Sequence, residues 1–171
     1  KAKASGGYYI GRYEAGKTNG NTNTFNVKKG QTVYNDITQP NAANLARNLY
    51  SNASFDSDLI NSYAWDTSVE FIQIFSGDTD YSEQNRLQET LTTTGNAHDS
   101  SNNYDVRCNI YDMAGNVKEW STETYASIYD DRCCTNRGGA YDENVNDALN
   151  RDYNENDYTN DDIGFRSILY L

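Results

Sequence analysis

Apolar residues at Ala42, Leu45, Ala46 and Leu49 recur at helical spacing. They predict a helix opened by Thr38-Gln39-Pro40-Asn41, because Thr38 can cap it and proline is tolerated in a first turn. A second helix is predicted from about Tyr63 to Phe75. Trp65, Val69 and Ile72, with the neighbouring Phe71 and Phe75, give it a broad apolar face, and Gly77 ends it. Trp65 and Trp120 are read as core residues. Alternation is weak over 8–14 and stronger over 164–171, and both read as strands. The closing strand is expected to return the C-terminus beside the N-terminal one. Between them lie two polar excursions. Residues 16–30 read as a hairpin or surface loop, and 92–103 as a long exposed loop. The single histidine, His98, falls in the second and is read as a surface residue.

The densest pattern spans 109–120. Ile110, Met113, Ala114, Val117 and Trp120 face a core, while Asn109, Asp112, Asn116 and Glu119 carry oxygens between them. Gly115-Asn116 in the middle favours a turn with positive φ. A turn both buried and carboxylate-rich needs its polar groups satisfied by backbone donors or by a cation. Strand, turn, strand is expected, with Glu119 and Trp120 on the second strand.

Composition narrows the function classes. A chain of 171 residues is one ordinary domain with room for a real core. Its formal net charge of −11 speaks against nucleic-acid binding, which needs clustered Lys and Arg. No apolar run approaches a membrane span, so no direct membrane insertion is expected. The chain opens Lys1-Ala2-Lys3, without an initiating Met or an apolar signal segment, and reads as a domain excised from a larger protein. Cys108, Cys133 and Cys134 do not form a disulfide framework or a zinc-type spacing, and free thiols are expected.

The stretch Asn109-Ile110-Tyr111-Asp112-Met113-Ala114-Gly115-Asn116-Val117-Lys118-Glu119-Trp120 resembles the signature of the formylglycine-generating-enzyme type of C-type lectin fold. Three further blocks match in order. They are the opening strand Tyr8-Tyr9-Ile10-Gly11-Arg12-Tyr13-Glu14, the Arg137-Gly138-Gly139-Ala140-Tyr141 block and the closing Ile163-Gly164-Phe165-Arg166. Trp65-Asp66 also resembles the family's second helix, whereas most of 15–107 matches loosely. The resemblance implies an α+β fold with small antiparallel sheets, two helices and long loops.

What the resemblance implies for chemistry is mixed. The formylglycine-generating enzyme needs two reactive cysteines between its Arg-Gly-Gly and Gly-Phe-Arg blocks. Here residues 140–163 hold none, and Cys133 and Cys134 precede Arg137. The related iron-dependent sulfoxide synthases need several histidines. No enzyme activity and no copper are therefore expected. Family members place a cation at the central turn. Carried over by position, structural Ca²⁺ would use the Asp112 and Glu119 carboxylates and the Gly115 and Val117 carbonyls, hard oxygens that suit it. The alternative is that Asp112 and Glu119 accept hydrogen bonds and need no metal.

The remaining feature is compositional. Fifteen of the twenty-two positions from 141 to 162 are Asn, Asp or Tyr. Lying between two fold-defining blocks, this segment reads as an ordered recognition surface: Tyr offers contact area at low entropy cost, and short polar side chains offer directional hydrogen bonds. In position and composition it resembles the diversified segment of retroelement variable proteins, whose adenine-directed rewriting of Asn codons yields Asn, Asp, Tyr, Ser, Cys and others. The expected ligand-binding residues are Tyr129, Asp130, Tyr141, Asp142, Asn144, Asn146, Asn150, Asp152, Tyr153, Asn154, Asn156 and Tyr158. The expected partner is a protein or glycan on a cell surface, and the expected location a phage tail or a bacterial envelope. A formylglycine-generating-type oxidase and a calcium-stabilised structural module are the alternatives.

Overall fold

Two fully buried indoles mark two apolar clusters, one under each helix. The computed structural model describes residues 6–19, 21–50, 55–83, 90–96, 105–125, 133–143 and 147–170. Helix α1 (Gln39–Leu49) starts where Pro40 requires, with Thr38 in the N-cap position. The Thr38 side chain makes no cap hydrogen bond, so proline geometry, more than the hydroxyl, sets this start. Helix α2 (Ser62–Ser76) begins one residue before the expected Tyr63 because Asn61 caps it, accepting from the Ala64 amide. Gly77 ends it in the left-handed conformation, φ 75°.

Among the described residues the strands are short and form four small sheets. The termini meet as expected: β1 (Tyr9–Ile10) pairs antiparallel with β11 (Ser167–Tyr170), whose other edge takes β4 (Asp56–Leu59). The opening strand is shorter than 8–14, since Glu14 and Ala15 turn inward and are buried. The polar excursion is a hairpin of β2 (Gly16–Thr18) and β3 (Asn21–Asn26). A second pair, β5 (Val106–Arg107) and β6 (Ile110–Tyr111), leads into the central turn. From there β7 (Lys118–Tyr125) runs through the middle of the largest sheet, ordered β10-β7-β8-β9 with β8 (Cys133–Arg137), β9 (Arg151–Glu155) and β10 (Ile163–Phe165). The β7–β10 pair is parallel, Glu119 opposite Gly164.

Trp120 packs with α1, Phe25, Tyr34 and Phe165, and its indole N–H donates to the Ile37 carbonyl at 2.8 Å. Trp65 packs with Ile110, Met113 and Ile168, and donates to the Ala148 carbonyl at 2.7 Å. Each ring thus buries its apolar body and satisfies its one donor. The central turn follows the expectation at Asn116, whose φ is 63°, and departs from it at its neighbours: Gly115 does not need positive φ, and Asp112 takes it at 60°. Gly138 does, at φ 81°, and a Cβ there would sit 2.6 Å from the Met113 carbonyl oxygen. The glycine of the Arg-Gly-Gly block is therefore a packing requirement between β8 and the central turn.

Arg166 stands between β10 and β11 and is fully buried. Its guanidinium holds both Glu119 oxygens (2.6, 3.0 and 3.1 Å) and also donates to the carbonyls of Gly11 and Tyr111. Removing one member of such a pair leaves a buried charge unmatched, a loss of roughly 3–5 kcal/mol. Arg166→Met is expected to lower unfolding free energy by that amount or to prevent folding, as read by urea denaturation. A loss below about 1 kcal/mol, the scale of a surface pair, would show that the pair does not hold the fold.

Candidate functional site

The central turn gathers more carboxylates than one cation can neutralise. Glu14, Asp105, Asp112 and Glu119 are all buried around Arg166. Glu14 accepts from the Asn116 side chain (2.6 Å) and the Val117 amide (3.3 Å). Asp105 accepts from the Tyr81 hydroxyl (2.6 Å) and the Ala114 amide (2.5 Å). Asp112 accepts from the Gly95 amide (3.3 Å). Burial pushes Glu14 well above the ordinary carboxylate range, and Asp112 and Glu119 add repulsion. Burial, with repulsion from Asp105, raises Asp112 to about 8. The cluster thus relieves its excess charge by keeping protons.

The Glu119 carboxylate, one of the four expected calcium ligands, is engaged by Arg166 on both oxygens. A calcium ion at Asp112, Gly115, Val117 and Glu119 would have to share the Glu119 carboxylate with that guanidinium, and the hydrogen-bonded alternative is the arrangement present at Glu119. Among the described residues no three His, Cys, Asp or Glu side chains are grouped to hold a metal. Cys108, Cys133 and Cys134 form no disulfide.

From this turn the architecture reaches the Asn/Asp/Tyr-rich segment. Asn116 is the relay: its side chain accepts from the Thr92 amide, and its carbonyl accepts from the Tyr141 amide at 2.9 Å. Tyr141 is half-buried, and its hydroxyl donates to Asp161 at 3.2 Å. Downstream, the scaffold also grips the segment by its main chain. Trp65 donates to the Ala148 carbonyl, and Arg137 to those of Leu149 and Asn150. The amides of Gly138, Gln39 and Asp36 donate to the carbonyls of Asn150, Asn156 and Asn160.

The expected binding residues are distributed by the pleat of β9. Arg151, Tyr153 and Glu155 are exposed, whereas Asp152 and Asn154 are half-buried and point to the other face. Asp152 joins Glu143 and Asp162 around Lys118, at 3.4, 2.8 and 3.2 Å. Burial disfavours the Lys118 charge, but the hydrogen bonds it donates to Glu143 and Asp162, and their negative charges, hold its pKa above the usual lysine value. Asn154 accepts from the Asn136 side chain at 2.7 Å. Asp142 and Tyr158 are exposed, and Asn150 and Asn156 half-buried. Tyr129, Asp130, Asn144 and Asn146 lie outside the described residues, as does His98.

Two residues absent from the expected set complete the exposed face. Tyr125, at the end of β7, packs on Tyr153 with ring centroids 4.6 Å apart, and both rings are nearly half exposed. Arg151 bridges Asp66 and Glu123 at 2.9 and 3.2 Å. The strand pairing of Tyr125 with Cys133, and of Cys133 with Glu155, brings Tyr125 there across three strands. Composition within 129–162 could not reach it.

Residues 3–170 match the family described as "Sulfatase-modifying factor enzyme 1-like domain". No curated protein matches the chain. Among solved structures, CarF is similar at 18% identity and a TM-score of 0.59, over 80% of this chain and 67% of CarF. PvdO from Pseudomonas aeruginosa is similar at 16% identity and a TM-score of 0.58, over 99% of this chain and 74% of PvdO. Treponema denticola variable protein 1 aligns at 16% identity and a TM-score of 0.43, over 68% of this chain and 48% of that one. The likenesses to CarF and PvdO support the α+β C-type lectin-like fold.

The buried cluster sets a pH dependence. Folding keeps a proton on Asp112 that the unfolded chain releases near 3.8. The contribution of this group is therefore full below about pH 4, falls as pH rises towards about 8, and is constant above. Thermal midpoints are expected to fall across that window, and Asp112→Asn, which tolerates the positive φ, is expected to flatten the profile. An unchanged slope in the variant would place the retained proton elsewhere.

Proposed function

Because the chain belongs to the sulfatase-modifying factor enzyme 1-like domain family, we propose that this member uses the family scaffold as a non-enzymatic binding domain, with a diversified surface built from the 129–162 segment. The observation that carries the reading is the main-chain grip: carbonyls of Ala148, Leu149, Asn150, Asn156 and Asn160 take donors from the scaffold. A segment held by its backbone keeps its path while its side chains change. The exposed Tyr153, with its neighbour Tyr125, and the exposed Tyr158 and Asp142 supply the contact chemistry. The absence of cysteine from 140–163 removes the thiol pair that the formylglycine-generating reaction would require. The partner is a protein or glycan displayed on a cell surface, and the parent protein sits on a phage tail or a bacterial envelope.

The test is at the locus. Sequencing is expected to find a near-repeat of the 129–166 coding region beside a reverse-transcriptase gene, with differences confined to template adenines. The differing codons are expected to include those for Tyr153 and Tyr158 and to spare Arg137, Gly138, Gly164 and Arg166. Sister copies with an invariant segment and no such repeat would sink the proposal in favour of a structural module.

A further inference from the structure

Away from β9, the β2–β3 hairpin and α1 enclose a cleft of about 1190 Å³. Its lining is unusual in kind. Twelve of its seventeen residues are Asn or Thr, and its only ionisable charges are one cation, Lys17, and one anion, Asp36. On a chain of net charge −11 this is a locally neutral wall of hydrogen-bonding groups.

The helical side of the cleft runs against local preference. Asn41, Asn44 and Asn48 fall at i, i+3 and i+7 on one exposed face of α1, with Leu45 between them. Asn is a poor helix former because its side chain competes for the backbone. None of the three side chains hydrogen-bonds to another described residue. Three such residues in an eleven-residue helix, all turned into one cleft, break a local rule without an intramolecular return, which is the pattern of a functional surface.

The facing wall is built to stand open. The first four residues of β3, Asn21–Thr24, are exposed on both faces of the strand. The hairpin is braced along both strands, where the Tyr34 hydroxyl donates to the Thr22 carbonyl near the tip and Lys17 donates to Asn35 at 2.8 Å. A register shift between Lys17 and Thr18 interrupts its ladder, and β3 packs against α1. Asn35 in turn donates to the Asp161 carbonyl, which fixes the cleft floor to the segment preceding β10.

From these features we infer that the cleft is a second binding site, for a neutral oligosaccharide. Each Asn side chain offers two donors and an acceptor, and each Thr one donor and an acceptor, which matches hydroxyls that both donate and accept. The Thr methyls and Leu45 supply apolar contact for the C–H faces of sugar rings. The cleft exceeds the usual size of a small-ligand pocket, which favours a chain of several rings over one. Near-zero local charge favours a neutral glycan over an anionic one, which the rest of the chain repels. This site is separate from the exposed tyrosines of β7 and β9 and does not depend on them.

The test uses the whole chain, with maltotetraose, cellotetraose and chitotetraose as probes and NMR shifts of the Asn side-chain amides as readout. At least one probe is expected to move the amides of Asn41, Asn44 and Asn48 saturably. The triple variant Asn41→Ala, Asn44→Ala, Asn48→Ala is expected to weaken binding roughly tenfold or more. Its thermal midpoint is expected to stay equal or rise, since Ala is the better helix former, so lost binding is not lost folding. A Tyr125→Ala, Tyr153→Ala variant should bind the probe unchanged, which separates this site from the segment surface. The inference is overturned if no probe shifts these amides, if the triple variant binds as tightly as the parent, or if the cleft takes only an extended peptide.

Discussion

The fold depends on one buried ion pair. Arg166 and Glu119 have no exposed side-chain surface, and between them they tie the chain's two ends to its centre. Glu119 lies on β7, in the middle of the largest sheet, while the other donors of Arg166 reach Gly11 near the N-terminus and Tyr111 before the central turn. A guanidinium suits this position because it offers five donors in a fixed plane and stays charged when buried. The surrounding excess of carboxylate follows from the same geometry. Glu14, Asp105 and Asp112 fix backbone amides and side chains of a turn that has no regular ladder to do so. That role brings them close to one another and to Glu119, and protonation absorbs the repulsion.

Much of this was legible in the residues, for identifiable reasons. Helical periodicity and the signals at Pro40 and Gly77 located both helices, because those signals act within a turn of the residue that carries them. The pairing of the chain ends was readable from the apolar alternation over 164–171. The central motif was readable as strand, turn, strand, and so was the positive φ within Gly115-Asn116, but not that it falls on Asn116 and is repeated at Asp112. Asp112 and Asn116 take the left-handed conformation because tertiary hydrogen bonds hold them there, whereas Gly115 merely permits it. The partner of Glu119 was equally hidden, since a carboxylate's choice between a cation and a distant arginine is made by packing. Arg166 lies forty-seven residues away in sequence.

The candidate surface was legible as a segment and not as a surface. Composition identified 141–162, yet the pleat of β9 divides it. Tyr153 faces solvent, while Asp152 and Asn154 answer to Lys118 and Asn136 on the other side. Tyr125 could be found only through strand pairing. The Asn-lined cleft illustrates the same limit more sharply. The asparagines of the hairpin and those of α1 are unremarkable apart, and only the closure of the hairpin over the helix makes them one wall.

The place of Arg166 in the chain has a further consequence. The residue that completes the buried centre comes after the compositionally biased segment, so ribosomes must read through that segment in frame before the charge of Glu119 can be met. A stop codon or a shifted frame anywhere from 141 to 162 yields a chain with Glu119 stranded, β10 and β11 missing, and β1 without its partner strand. Such a product has no route to a stable interior and is left to proteolysis. The fold thereby acts as a proofreader of its own message: whatever side chains the segment carries, only copies translated to the closing strands survive as folded protein.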